Sequence, residues 1–255
     1  MLKNSIRLTE SEIKNIIIES VKRVLTEATM KVDNFDMVAR MMKYDDDDLF
    51  YFIEIIQRKK DNLNMHFSRS GLDNFHNKNY IKTYTVANPQ ELMNVKNEIV
   101  SLCEKYNARA YISINPRSRK RVNDYVNFCK QQGRFKGREF EHGAGQHKEF
   151  NDKDFNWETL HPYGLIDMDI ADPKAQQKLE DILNRFNLKP VEVYMSPNGG
   201  KHYIMPDRYC KYLNFSEFEE YRPDRDANGR KTRRDNDPMV LFKGDAPIIL
   251  YSNVR

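Results

Sequence analysis

The stretch Tyr163-Gly-Leu-Ile-Asp-Met-Asp-Ile-Ala-Asp172 sets two carboxylates two residues apart inside an apolar run. Side chains alternate across a strand, so Asp167 and Asp169 share one face while Ile166, Met168 and Ile170 share the other. Like charges on one face repel each other. A divalent cation beside them removes that cost, and hard carboxylate oxygens suit Mg²⁺ or Mn²⁺. The same alternation also describes a half-solvated strand. A second segment, one helix downstream, favours a site: Val191-Glu-Val-Tyr-Met-Ser-Pro-Asn-Gly-Gly-Lys-His-Tyr-Ile-Met205 reads as a hairpin with Asn198-Gly199 at its turn. Taking Gly200 as a bulge shifts the register by one and sets Ser196 opposite His202, beside Lys201 and the turn amides. Such a cluster can hold a triphosphate. A structural hairpin with an incidental histidine is the alternative. Asp245, in Phe242-Lys-Gly-Asp-Ala-Pro, is the candidate third acid and Asp237 its fallback, although each is equally an ordinary turn residue. His142 and His147 lie in a charged loop without cysteines or further histidines, which argues against a structural zinc site. His66, His76 and His161 have no partner visible in the sequence.

These residues need a sheet to carry them. From residue 163 the pattern predicts strand 163–170, helix 173–187, strand 191–196, strand 201–205, a short helix at 215–220, a basic loop and a last strand at 247–252. This is the order of an RNA-recognition or ferredoxin-like half-fold, an antiparallel sheet with helices on one face and the other face free. Upstream, strands are predicted at 49–56, 80–86 and 108–114. A helix opens at Pro89 with Leu92, Val95, Ile99 and Cys103 inward, a basic helix covers 118–131, and Gly133–Glu149 is expected to be a loop. Thr9-Glu10-Ser11-Glu12 has the form of a capping box before an amphipathic helix from about 10 to 28. A second helical piece, Asn34 to Tyr44, ends in the run Asp45–Asp48. The expected organisation is therefore α+β: a helical appendage over 1–45, an α/β unit over 46–150 and a metal-binding unit over 151–255.

The chain has 255 residues, with 42 Lys and Arg against 38 Asp and Glu and a formal charge of +4. That small sum is a cancellation. Residues 1–50 carry 8 basic and 10 acidic side chains and residues 151–200 carry 5 and 9, whereas 117–138 holds eight basic residues against the single acid Asp124. Arg117, Arg119, Lys120 and Arg121 open that basic segment, and Arg233 and Arg234 lie in a second one from 222 to 243. Basic segments on either side of an acidic one suit a phosphate-binding groove around a metal, and they also suit solvated loops. Mean hydropathy is −0.81, but 11% aromatic residues are too many for a disordered chain. No run of 18 apolar residues suggests a membrane span, the N-terminus lacks a secretory pattern, and three scattered cysteines suggest neither a disulfide framework nor a zinc site. A reducing cytoplasm is expected.

An apolar strand with Asp-x-Asp, a helix, a Ser/His hairpin and a later apolar strand with an acid beside it resembles the core of archaeo-eukaryotic primases and primase-polymerases. The resemblance spans roughly residues 49–255, with motifs confined to the second half. It implies a two-unit primase core that transfers nucleotides on a single-stranded or primed DNA template in replication or repair, using Mg²⁺ or Mn²⁺ and nucleoside triphosphates. By position, Asp167, Asp169 and Asp245 would hold the metals, and Ser196 and His202, with Lys201, would hold the nucleotide. Arg117, Arg119, Lys120, Arg121, Arg233 and Arg234 would track nucleic acid. A replication helicase, or a protein bound by the N-terminal helix, is an expected partner. Two alternatives stay open: a metal-dependent nuclease, and a non-catalytic RNA-recognition-like binding domain. The segment IRLTESEIKNIIIESVKRVL resembles short helical ends of proteins from Bacteroidetes bacteria and their phages, which implies a bacterial or phage-encoded chain acting in the bacterial cytoplasm.

Overall fold

The computed structural model describes residues 31–43, 46–58, 61, 78–134, 136–145, 163–197, 199–206, 213–221 and 239–254. In chain order its elements are β1 (Val32–Asp33), α1 (Phe35–Met41), β2 (Leu49–Arg58), β3 (Lys78–Val86), α2 (Pro89–Tyr106), β4 (Arg109–Ile112), β5 (Arg117–Ser118), α3 (Arg119–Gln131), α4 (Glu139–Gly145), β6 (Tyr163–Met168), α5 (Pro173–Arg185), β7 (Glu192–Met195), β8 (Lys201–Pro206), a 3-10 turn (Ser216–Tyr221), β9 (Val240–Gly244) and β10 (Ile248–Ser252). The described residues form a mixed α+β fold with five helices and two antiparallel sheets. No described helix is long and apolar enough to cross a membrane.

The first sheet runs β1-β10-β4-β2-β3, with β5 also paired to β2. Its spine is β2, whose sequence LFYFIEIIQR is rich in β-branched and aromatic residues and is buried almost throughout. One face is covered by α2 through Leu92, Ile99 and Cys103, spaced to recur on one helical side. That helix starts where the sequence says it should. The Asn88 side chain accepts from Glu91 N–H at 2.9 Å, Glu91 reaches back to Ala87 N–H at 2.8 Å, and Pro89 fills the first turn. On the other face, Phe50 and Phe52 pack with Val122 of α3 and Ala144 of α4. The Gly-rich segment expected to be a loop thus contains a helix. A Cβ at Gly143 would press to 2.7 Å from the Tyr125 ring, so the glycine that suggests a loop is what lets α4 lie against α3.

The second sheet runs β7-β8-β6-β9. Both β6 and β7 are antiparallel to β8, which lies between them, so they run the same way and α5 makes the crossover. Asp172 caps α5 by accepting from Lys174 N–H at 2.8 Å. Ala175, Leu179, Ile182 and Leu183 then meet Ile166, Met168, Tyr203 and Met205. The opposite face turns to the first sheet, where Leu165, Tyr194 and Ile204 share one core with Ile249 and Tyr251.

The fourth strand of this sheet is β9, not the expected strand at 247–252. That strand, β10, lies between β1 and β4 of the first sheet. Its five residues are all buried, as a strand covered on both faces requires, whereas Val240 and Phe242 alternate with the more outward Leu241 and Lys243 in β9. The piece expected as an appendage also changes place over its described part. Val32 pairs with Ser252, and Phe35 is fully buried in the first core. The helix expected at 10–28 lies outside the described residues.

The sheets are stitched at the turn from β9 to β10. Asn115, fully buried, donates to the Tyr163 carbonyl at 2.9 Å and to Asp245 at 2.8 Å, and accepts from Tyr163 N–H at 3.0 Å. Arg117 is 2% exposed, donates to the Asn115 and Ala144 carbonyls and pairs with Asp245 at 3.0 Å. Burial pushes its guanidinium below its ordinary value, and Asp245 opposes that shift. Breaking a buried pair strands one charge. Asp245→Ala should therefore destabilise the protein by about 3–5 kcal/mol in urea unfolding; a loss below about 1 kcal/mol would show that the pair is not a structural tie.

Candidate functional site

Alternation along β6 buries Ile166 and Met168 beneath α5 and turns Asp167 to the opposite face. Asp169 follows just past the strand, half-exposed, with its N–H bound to the Met239 carbonyl at 3.1 Å. Arg58 of the first sheet feels its charge. His202 is the register partner of Asp167 on β8, and its Nε2 lies 2.8 Å from Asp167 Oδ1. The other oxygen, Oδ2, is held by Lys243 Nζ from β9. Burial alone would raise the Asp167 carboxyl, but the His202 and Lys243 contacts more than reverse this and hold it well below the carboxylate range.

Tyr194 faces His202 across the β7–β8 ladder, with its hydroxyl 2.7 Å from Nδ1 and the two rings edge to face at 4.9 Å. The same hydroxyl accepts the Ile249 N–H at 3.2 Å. Burial raises the Tyr194 phenol far above its ordinary value and keeps it protonated. Both ring nitrogens of His202 are thereby engaged.

The hairpin register differs from the expected one. Tyr194, not Ser196, is opposite His202; Ser196 N–H closes on the Gly200 carbonyl at 2.7 Å. Ser196 still shares the His202 face, one pair further along, and its buried Oγ has no hydrogen-bond partner among the described residues. Gly200 is a paired residue rather than a bulge. A Cβ there would run into the Met168 carbonyl oxygen, so the glycine allows the hairpin end to lie against the end of β6. Lys201 pairs with Met195 on the other face and bonds Glu180 of α5 at 2.8 Å, away from Asp167.

Cations of the first sheet lie within electrostatic reach of Asp169 and Lys243. Arg58 and Lys78 are cross-strand partners, and Arg58 Nη1 donates to the Tyr111 hydroxyl at 3.1 Å. Burial and the cations Arg58 and Lys243 hold Lys78 below its ordinary value, against the pull of Glu54. Burial holds Glu54 above its own, opposed by Lys78 and Arg138. Arg138 lies over the Tyr80 ring at 4.3 Å. None of Glu54, Arg58, Lys78 or Lys243 stands out in the sequence as a site residue. The available signal was Glu54, one acid in the middle of an apolar strand.

Asp167 and Asp169 carry the hard oxygens that a divalent cation takes, but both oxygens of Asp167 are already paired, with His202 and with Lys243. Asp245 does not join them, for Arg117 and Asn115 hold its carboxylate. Among the described residues no three His, Cys, Asp or Glu side chains group as a metal centre. Of the expected nucleic-acid contacts, Arg117 is a buried structural residue, Arg119 and Lys120 are exposed at the start of α3, and Arg121 is half-buried. Arg233, Arg234, Asp237, His66, His76, His147 and His161 lie outside the described residues. His142 Nδ1 is 2.9 Å from the Tyr125 hydroxyl.

A carboxyl depressed in the folded state stabilises the fold above its unfolded value of about 3.9 and loses that contribution as pH falls through it. Wild-type stability should thus drop more steeply than that of Asp167→Asn as pH is lowered from 5 to 2, read from urea midpoints; parallel curves would show that the Asp167 contacts contribute nothing to folding.

Comparison of the chain with known protein families, curated proteins and solved structures finds no match.

Proposed function

We propose that the protein is a metal-dependent nucleotidyltransferase of primase or polymerase type, acting on single-stranded or primed DNA with nucleoside triphosphates. The observation that carries this reading is the pairing of Asp167 with His202 on adjacent strands of a β-α-β-β sheet, with Lys243 on the same carboxylate and the charges of Arg58 and Lys78 acting on Asp169 and Lys243. The two sheets would be the two halves of the primase-type core, and β6-α5-β7-β8-β9 its RNA-recognition-like half.

Mg²⁺ or Mn²⁺ on Asp167 and Asp169 would supply charge neutralisation at the reacting phosphate. The chain's own residues do the rest. Ser196 Oγ, buried and without a partner among the described residues, is a donor whose unmet bond costs roughly 1–3 kcal/mol unless an acceptor takes it. Lys243 and, across the groove, Lys78 and Arg58 present cations to a polyphosphate. His202, fixed by Tyr194, keeps Asp167 oriented and ionised. Arg119 and Lys120 offer exposed charge to a nucleic-acid backbone without reading sequence.

One observation favours a second reading. Asp245 is withdrawn into the Arg117 tie, and both oxygens of Asp167 are already paired, which suits a domain that binds nucleotides or nucleic acid without catalysis. Incubation of the full chain with labelled nucleotides, Mn²⁺ or Mg²⁺ and primed DNA separates the two. Chain extension that is abolished in Asp167→Ala and Asp169→Ala, with a raised KM for nucleotide in His202→Ala, is the expected result. Retention of DNA or nucleotides without extension would favour the binding domain, and shortening of labelled DNA without nucleotides would make the protein a nuclease.

A further inference from the structure

Helix α3 buries Val122, Tyr125 and Cys129 and turns a cationic face outward. Between positions 119 and 137, the exposed charges among the described residues are Arg119, Lys120, Lys130, Arg134 and Lys136 against Asp124. The outward face of α2 has the opposite sign, with Glu91, Glu98 and Glu104 exposed against Lys105. An aromatic ring stands on the cationic face. Phe128 is 48% exposed and lies outside the apolar cluster through which Val122 meets Phe50, Phe52 and Ala144. Helical spacing puts it on the same outward side as Lys120, Asn127 and Gln131. A single exposed phenylalanine is ordinary on a protein surface, but one set among cations offers a stacking surface beside charge that suits phosphate. The start of α3 is not what would take that phosphate. Asp48 already occupies it, accepting from Lys120 N–H at 2.9 Å and from the Ser118 hydroxyl.

The cationic face also leads toward Asp167. Past the helix, Arg138 lies over the ring of Tyr80 on β3 at 4.3 Å, and Lys78 begins the same strand two residues earlier. Lys78 and Arg138 both act on Glu54, and Lys243, which holds Asp167, acts on Lys78. Positive charge therefore continues from Lys243 through Lys78 and Arg138 to the turn that follows α3.

We propose that the outward face of α3 and the turn after it bind single-stranded DNA, with Phe128 stacking on an unpaired base and Lys120, Lys130 and Lys136 pairing with the backbone. The choice of DNA rests on the nucleotidyl-transfer reading above; the surface does not. A single strand fits better than a duplex, because only an unstacked base has a free face for the ring. Every base has such a face, so the surface reads no sequence, and its affinity comes from ring contact and counterion release.

The test is fluorescence anisotropy of a labelled thymidine oligodeoxynucleotide of about 16 nucleotides, titrated with the full chain without metal or nucleoside triphosphate. Phe128→Ala should weaken binding by at least about fivefold. Phe128→Leu, which keeps an apolar side chain without an aromatic face, should do the same, and Phe128→Trp should restore affinity. Lys130→Gln combined with Lys136→Gln should flatten the dependence of log K on log salt by about 0.7 per charge removed. Thermal unfolding of each variant reports its fold, and a half-exposed ring predicts small shifts. No binding of the oligonucleotide, unchanged affinity in Phe128→Ala, Phe128→Trp binding no tighter than Phe128→Leu, or an unaltered salt dependence would each overturn the inference. So would a duplex of the same length bound as tightly as the single strand, or a matching RNA bound more tightly. Phe128-dependent binding with no nucleotide incorporation would instead overturn the transferase reading and leave this surface standing.

Discussion

The geometry of this protein depends on a buried charge that has to be neutralised where two sheets meet. Arg117, 2% exposed, is fixed by Asp245 and by two main-chain carbonyls, and Asn115 beside it bonds both Asp245 and the start of β6. Such an ion pair adds little net stability compared with apolar packing, since desolvation cancels most of its attraction. Its value is in specificity. Only one docking of the second sheet on the first puts Asp245 on Arg117 and the Tyr163 main chain on Asn115, and alternatives leave an uncompensated charge in the core.

The groove follows from that docking. The chain runs from β9, beside Asp167, through Asp245 into β10, the strand whose Ile249 N–H meets Tyr194. A single short connection therefore ties the carboxylate strand to the hydroxyl that orients His202. Tyr194, His202, Asp167 and Lys243 form one hydrogen-bonded and ionic chain across the four strands of the second sheet, and each member is satisfied by the next. The outcome is a carboxylate kept ionised despite burial, while on the first sheet Lys78 is held below its ordinary value and Glu54 above its own. Environments that drive titratable groups apart in this way are characteristic of sites that act on charged substrates.

What was legible before the structure was local. The opening of α2 at Pro89 with Leu92, Ile99 and Cys103 inward, the helix after β6, and the alternation that turns Asp167 away from Ile166 and Met168 are all short-range consequences of residue type. So was the placement of His202 near Asp167, because a hairpin following a β-α unit returns to the same sheet. The misreadings share a different cause. Lys201 against Lys243, Ser196 against Tyr194 as the partner of His202, and Asp245 as a ligand against Asp245 as a structural tie all turn on the register of the hairpin or on the choice of sheet. Both are settled by pairing with other strands, and the local sequence leaves them open.

By itself, then, the sequence determined the kinds of elements, the faces they bury and the carboxylate strand, since these follow from periodicity and propensity over a few residues. Only the tertiary structure decided that β10 leaves the second sheet for the first, that Arg117 is buried rather than presented to nucleic acid, and that Arg58, Lys78 and Lys243 come to line one groove with Asp167. Those outcomes depend on contacts between residues more than a hundred positions apart, such as Arg117 with Asp245, and the cost of burying an unpaired charge selects among them after the local pattern has been satisfied.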